Sequence, residues 1–244
     1  MDQFSNEFAS HWDELVGWDK RSVTDSSFLL KLIQKYDCRS VLDAALGTGF
    51  DSIELLKAGI KVKSVDVSQA MIDVAIKNAK SHNVELDVLC MDWIDLSRFI
   101  SKKFDCVICL GNSLACEMDS DKRQAAIQNW SELLTDNGII IVDRRNYEAL
   151  IAGTYSSQRK GNYFGDTVKI NFNKVTKEET IFSYTFADSQ TFDLKMFPIL
   201  DVEIREMFLN ANLNPIEVFG DRILDHADDG VGFYLYVFRR INYA

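Results

Sequence analysis

Val41-Leu42-Asp43-Ala44-Ala45-Leu46-Gly47-Thr48-Gly49 is the stretch that decides the fold. An apolar strand over 39–44 runs into two glycines one residue apart, and a helical pattern follows at 51–58. Glycine has no Cβ, so positions 47 and 49 permit a sharp turn and let backbone approach a ligand closely. A second apolar strand, 61–66, ends in Asp66, where a carboxylate can accept two hydrogen bonds from a ribose diol. Two glycines alone are a weak signal. Strand, turn, helix, strand and terminal acid in this order predict a nucleoside crevice at the head of a parallel sheet.

The alternation continues on both sides. Phe28, Leu29, Leu32 and Ile33 recur at helical spacing within 26–36. Downstream, a helix is predicted over 69–80 with Ser68 as its N-cap, then strands over 84–91 and 104–110, a helix over 121–134 and a fifth strand over 138–143, GIIIVD. Strands separated by helices make a parallel sheet with right-handed crossovers. After Gly153 the pattern changes. Closely spaced strand-like runs at 168–175, 179–186 and 191–197 predict an antiparallel meander, followed by a helix over 202–213, an extended run at 215–220 and a strand at 233–239. The expectation is one α/β domain over 1–244, its mostly parallel sheet flanked by helices and interrupted by a small antiparallel β insertion at about 154–198.

Composition bounds the function. The 244 residues are 47% hydrophobic and 26% charged, enough for one sizeable core. Lys and Arg number 27 against 37 Asp and Glu, a formal charge of −10. Phosphate backbones and anionic membrane surfaces both demand excess cation, so neither nucleic acid nor membrane is an expected partner. The N-terminus has no basic segment leading into an apolar stretch, and no apolar run has spanning length, so a cytoplasmic location without a signal peptide is expected. Five cysteines, Cys38, Cys90, Cys106, Cys109 and Cys116, form no disulfide framework, which fits a reducing compartment. Cys106 and Cys109 are three apart on one strand and so point to opposite faces, and they read as buried thiols. His11, His82 and His226 share no ligand spacing, and no metal site is expected.

The crevice departs from a dinucleotide fingerprint. Gly-x-Gly-x-x-Gly would need a third glycine where Ser52 stands. Asp43, four residues before Gly47, instead suits the positively charged amino-acid end of a ligand. Asp92 and Trp93 follow the third strand, where a carboxylate and a ring can hold adenine. Leu110-Gly111-Asn112-Ser113 follow the fourth strand and would face the reacting group.

With these residues assembled, the chain resembles class I S-adenosylmethionine-dependent methyltransferases, and more narrowly the glycine N-methyltransferase and glycine/sarcosine N-methyltransferase family. The resemblance runs from about Trp12 to the C-terminus and is densest in VLDAALGTGFDSIELLKAGIKVKSVDVSQAM, CVICLGNSLA and GIIIVDRRNYEALI. LGNS together with D-x-R-N-Y is more specific than the glycine loop. It implies a Rossmann-like methyltransferase fold, S-adenosyl-L-methionine as cofactor, and methyl transfer to the amine of glycine, sarcosine or a related carboxylate-bearing amino acid. It also implies that the N-terminal segment 1–36 covers the cofactor, with Trp12 and Arg21 as contacts. Ala45, Asp66, Val67, Ser68, Asp92 and Trp93 match nucleoside contacts, and Leu110 through Ser113 the segment beside the sulfonium. Arg145 matches the arginine that grips the substrate carboxylate, Asn112 a substrate contact, and Tyr184 a tyrosine of the same pocket.

The family pattern is not kept throughout. Leu46 replaces a cysteine, Leu15 a pocket tyrosine, Cys116 a histidine and Phe197 a late tyrosine, and the N-terminal arm is short. A larger or different amine-bearing acid therefore stands beside glycine as an acceptor. A homo-oligomer is compatible with the sequence. Methyl transfer is an in-line displacement, so the expected catalytic set is positional: Arg145 pairing bidentately with a carboxylate, Asn112 and Tyr184 orienting the amine. A nicotinamide oxidoreductase, a methyltransferase for another small molecule and a non-catalytic adenosylmethionine-binding protein are the competing readings. The base-modifying pattern of adjacent prolines is absent, since Asn112-Ser113-Leu114 stands there.

Overall fold

The computed structural model describes residues 3–155, 167–221 and 231–241, apart from the side chains of 19–27. In chain order the elements are α1 (Asn6–Val16), α2 (Trp18–Lys35), β1 (Ser40–Asp43), α3 (Phe50–Lys57), β2 (Lys61–Asp66), α4 (Gln69–Ser81), β3 (Val88–Cys90), α5 (Leu96–Phe99), β4 (Phe104–Cys109), α6 (Ser120–Glu132), β5 (Leu134–Arg145), α7 (Tyr147–Ile151), β6 (Lys169–Val175), β7 (Thr180–Thr185), β8 (Thr191–Met196), α8 (Asp201–Asn210), β9 (Leu213–Gly220) and β10 (Phe233–Arg240).

Seven strands pair in the order β3-β2-β1-β4-β5-β10-β9. The first five are parallel, and β10 runs antiparallel between β5 and β9. Val41 and Leu42 of β1, Val107 and Ile108 of β4, and Ile139 through Val142 of β5 are fully buried. That continuous apolar reading is what a parallel sheet covered on both faces requires. The chain leaves β1 toward β2 on one side while β4 lies on the other. The strand order reverses between β1 and β4, and a crevice opens there beyond the carboxyl ends of the strands.

The structure corrects several predicted boundaries. The helix predicted over 121–134 stops at Glu132, and the strand predicted over 138–143 is longer, because Leu134 already pairs with Phe104. The register then slips so that Cys106 pairs with Ile139. Gly138 makes the slip fit: a Cβ there would lie 3.0 Å from Leu134 and 3.1 Å from the Phe104 carbonyl. The strand predicted over 84–91 contracts to Val88–Cys90, at the sheet edge. The helix predicted over 202–213 ends at Asn210, where Asn212 turns left-handed with φ 59° and releases the chain into β9. Ser68 does cap α4, its hydroxyl accepting from Met71 N.

The insertion is a three-stranded antiparallel sheet, β6-β7-β8. Helix α1 binds it to the main body. Phe8 stacks on Phe192 at 4.8 Å, and its ring also meets those of Tyr184 and Phe186. The Gln3 side chain exchanges two 2.9 Å hydrogen bonds with the Lys195 backbone, His11 pairs with Asp188 at 2.9 Å, and Glu14 accepts from Ala187 N and the Thr167 hydroxyl. On its other side Asp13 accepts from Asn78 of α4 at 2.8 Å. Gly17, left-handed at φ 59°, is the joint between α1 and α2.

Candidate active site

A cavity of about 700 Å³ opens where β1, β2, β4 and β5 end, and Phe4, Trp12, Leu15, Tyr184 and Met196 close it from α1 and the insertion. Trp12, Ala45, Gly47, Asp66, Val67, Asp92, Trp93, Leu110, Gly111, Asn112, Ser113, Arg145 and Tyr184 all line it. The strand-end loops thus bring most of the residues singled out in the sequence to one space.

At one end the glycine turn is held by acids. Asp66 accepts from Gly47 N at 2.8 Å and from Ser68 N at 2.9 Å, which fixes its carboxylate at the head of β2. Gly47 takes φ 53° and its missing Cβ faces Trp12, 3.8 Å away. Trp93 donates its ring N–H to the Ala44 carbonyl and meets Trp130 edge to face. Its neighbour Asp92 caps the following turn by accepting from Ile94 N.

Asp43, Gly49 and Ser68 lie behind this wall rather than in it. Asp43 is 2% exposed and accepts from Ala45 N and from the Ser52 hydroxyl, which in turn meets Ser64. Burial pushes its carboxyl up to about 7, against the opposing pull of those hydrogen bonds. A carboxylate so enclosed shapes the loop, and the Ser52 position that rules out a third glycine is occupied by its partner. Gly49 starts α3 at φ 95°, where a Cβ would lie 3.2 Å from both Ala75 and Ile53. Ser68 is fully buried as a helix cap and also donates to the Phe4 carbonyl. Arg21 lies on α2, with its side chain outside the described residues.

The other end is built on β5 and the turn after β4. Alternation along the strand sends Arg144 and Arg145 to opposite faces. Arg144 is tied to Glu148 at 2.6 Å and to Tyr236 at 3.0 Å. Arg145, 3% exposed, reaches the cavity, donates to the Tyr155 hydroxyl at 2.7 Å and lies over the rings of Phe182 and Phe233 at 4.9 and 4.6 Å. Aromatic faces hold a guanidinium without neutralising it.

Asn112 is the hinge pin of this end. It takes φ 63°, a left-handed conformation that asparagine tolerates better than most residues. Asp143 accepts from its N–H at 2.7 Å and from Gly111 N at 3.1 Å. Its side-chain oxygen accepts from Arg145 N at 3.0 Å, and its amide donates to Tyr147 Oη at 2.7 Å and to Met196 Sδ at 2.9 Å. Both amide protons are therefore committed to the protein. Tyr184 is 2% exposed, and among the described residues its hydroxyl has no hydrogen-bonding partner. Burial raises its phenol well above the usual range. Half-buried Cys116 joins the same wall, its thiol pushed up to about 12 by burial.

Sequence reasoning missed Met196 and Tyr155, and it saw Tyr147 only as a letter of the D-x-R-N-Y run. Tyr147 could have been found there. A methionine on a strand gives no local signal that its sulfur will meet an asparagine 84 residues away. Among the described residues no three His, Cys, Asp or Glu side chains gather as metal ligands would.

A buried guanidinium, a phenol with no hydrogen-bonding partner among the described residues and an anchored carboxylate in one space can hold an elongated ligand beside a small carboxylate. Comparison with known proteins places the chain among methyltransferases. The methyltransferase domain family matches residues 41–138. Glycine/sarcosine N-methyltransferase of Aphanothece halophytica is 34% identical over 98% of this chain and 92% of its own length. That of Parasynechococcus marenigrum (strain WH8102) is 35% identical over 96% of this chain and 83% of its own. A crystal structure of an S-adenosylmethionine-dependent methyltransferase from Clostridium acetobutylicum ATCC 824 superposes with a TM-score of 0.75 at 22% identity, covering 96% of this chain and 98% of that one.

Proposed function

Because the chain belongs to the glycine/sarcosine N-methyltransferase family, we propose that it transfers a methyl group from S-adenosylmethionine to the amine of glycine, sarcosine or a related small amino acid. The residues present fit such a donor. The Asp66 carboxylate is fixed at the strand end by two amides while it lines the cavity, an arrangement suited to a ribose diol. Asp92, Trp93 and Val67 would hold the base, Trp12 and the 45–47 turn the ribose and amino-acid portion, and Leu110 through Ser113 the region beside the sulfur. When bound, the cofactor supplies a methyl group on a positively charged sulfur.

The chain's own residues then have positional work. Arg145 would pair with the substrate carboxylate from its place at the cavity wall, where the rings of Phe182 and Phe233 keep water from competing. Tyr184 offers its hydroxyl to the amine. Asn112, its amide already engaged, acts by fixing the Arg145 backbone and the Tyr147 ring. A cationic neighbour and burial both lower an amine's pKa, which leaves the lone pair free for attack without a dedicated base. The bound cofactor would give up its methyl group to that lone pair and keep the C–S electron pair, and the methylated amine would release its extra proton to solvent. The charge of −10 supports a small-molecule acceptor over nucleic acid. Free thiols at all five cysteines support a reducing, cytoplasmic setting.

The observation that carries this reading is Arg145, buried among rings in the same cavity as Asp66. A methyl-transfer screen over glycine, sarcosine, dimethylglycine and other small amino acids, read by product mass, tests it. Arg145→Ala should cut kcat/KM by about 30-fold or more, as loss of a buried charge contact costs about 2–5 kcal/mol, while calorimetric affinity for S-adenosylmethionine stays within about twofold. Undiminished turnover in that variant would count against the assignment.

A further inference from the structure

Helix α1 carries Trp12 over the glycine turn, and its two flanks are held differently. Toward the insertion, Gln3, His11 and Glu14 form hydrogen bonds and Phe8 stacks on Phe192. Toward the body, Asn78 of α4 directs its side-chain amide at Asp13 Oδ2, at 2.8 Å, and at the Thr48 carbonyl, at 3.0 Å. One side chain thus grips both the cover helix and the middle residue of Gly47-Thr48-Gly49. Trp12, the neighbour of Asp13, places Nε1 3.8 Å from where a Cβ on Gly47 would lie.

The grip is closely balanced. Asp13 Oδ1 is buried without a hydrogen-bonding partner among the described residues, so seating α1 costs that oxygen its water. The bond from Asn78 offsets this cost, and opening returns the water. A pivot is also in place. Gly17 is left-handed at φ 59°, while Trp18, the first residue of α2, is fixed to the body. Its ring stacks on His82 at 5.5 Å and meets Phe50 edge-on at 5.3 Å.

We propose that Asn78 is a positioning residue for the methyl donor, latching the cover helix to the glycine turn so that Trp12 and the turn close on the nucleoside together and α1 opens on this side to release it. This rests on the cofactor assignment made above and adds the residue that sets how long the donor stays. Asn78 is not among the residues lining the cavity, so it acts through Asp13 and Thr48.

Binding of S-adenosylhomocysteine, the demethylated product, tests this without turnover. Asn78→Ala should weaken its calorimetric affinity by about 10-fold, the size of one or two lost hydrogen bonds. Stopped-flow displacement should place that loss in faster dissociation. KM for S-adenosylmethionine should rise, while kcat at saturating donor stays within about twofold. Asn78→Asp sets two carboxylates against each other and should speed dissociation further. Asp13→Asn combined with Asn78→Asp reverses donor and acceptor, and should slow dissociation again relative to Asn78→Asp alone. Damage confined to the fold of α4 would not be rescued from the facing helix. Amide exchange on the cofactor-free protein gives a second reading: α1 should exchange about 10-fold faster in Asn78→Ala, with β1 and β4 keeping their protection. Unchanged dissociation or unchanged α1 exchange in Asn78→Ala overturns the latch, as does a reversed pair that recovers nothing. An unaltered chain that binds neither adenosyl compound would instead overturn the cofactor reading, and the α1 exchange would still judge the latch.

Discussion

Replacing Asn112 by alanine and by glycine separates what its backbone costs from what its side chain contributes. At φ 63° an alanine pays steric strain of about 1–2 kcal/mol. It also strands the Arg145 N–H, which is buried and loses its acceptor at 3.0 Å, for about 1–3 kcal/mol. Asn112→Ala should therefore lose about 2–5 kcal/mol of stability. Asn112→Gly avoids the steric strain but gives up about 0.5–1 kcal/mol of backbone entropy. The glycine variant should then be more stable than the alanine variant by about 1 kcal/mol. Urea unfolding gives the comparison directly, provided the slope is unchanged and only the midpoint moves. Both variants should also raise KM for the acceptor, since Arg145 loses its backbone anchor in each. Equal midpoints for the two variants would refute the strain argument, and a neutral alanine would refute the whole account of this residue as the pin of the substrate end.

Other consequences are equally open to measurement. Asp43, raised to about 7 by burial, binds a proton in the folded chain that the unfolded chain gives up near its ordinary value of 3.8, so stability should fall as pH rises from about 4 to about 7. Asp43→Asn, which keeps an oxygen for Ala45 N, should flatten that decline in thermal melts, and an unchanged slope would remove Asp43 as its source. His11 is raised above 6.5 by the Glu7 carbonyl and by Asp188, so its contribution is full below about 6.5 and is lost as pH rises through the folded value. Amide exchange in α1 should accelerate over that rise, and Asp188→Asn should weaken the pH dependence while the bond to the Glu7 carbonyl keeps part of it; an identical profile in the variant would refute the pairing. Gly49→Ala should destabilise more than Gly47→Ala in melts, because both face positive φ but only position 49 adds contacts at 3.2 Å. The reverse order would show that the turn relaxes around α3.

Much of the floor of the site was legible because it is local. The 41–49 turn, Asp66 and the Ser68 cap each declare themselves within a few residues, through glycine spacing, strand ends and helix caps. The meander was equally plain in its alternating runs. What the sequence concealed depends on distance. Asp43 reads as a ligand contact until Ser52 and Ser64 are seen to enclose it. The start of β5 is hidden because Leu134 continues a helical pattern, and only its pairing with Phe104 overrides that. Asn112 reads as a substrate contact, yet its amide is consumed by groups from three other elements. Met196 carries no sign of its role, since the sulfur's partners arrive from β4's turn and from α7.

The closure of the cavity has a kinetic side. Its floor is assembled from strands that follow one another along the chain, whereas its cover joins Gln3 to Lys195 and His11 to Asp188, separations of 192 and 177 residues. Such long loops are slow to close, and the aromatic face of α1 has nothing to rest on until the meander has formed. A newly made chain thus acquires the means to grip a nucleoside before it acquires a sheltered place for an amine. Cutting the bonds of Gln3 and His11 to the meander should therefore open the amine's shelter while leaving the nucleoside floor in place.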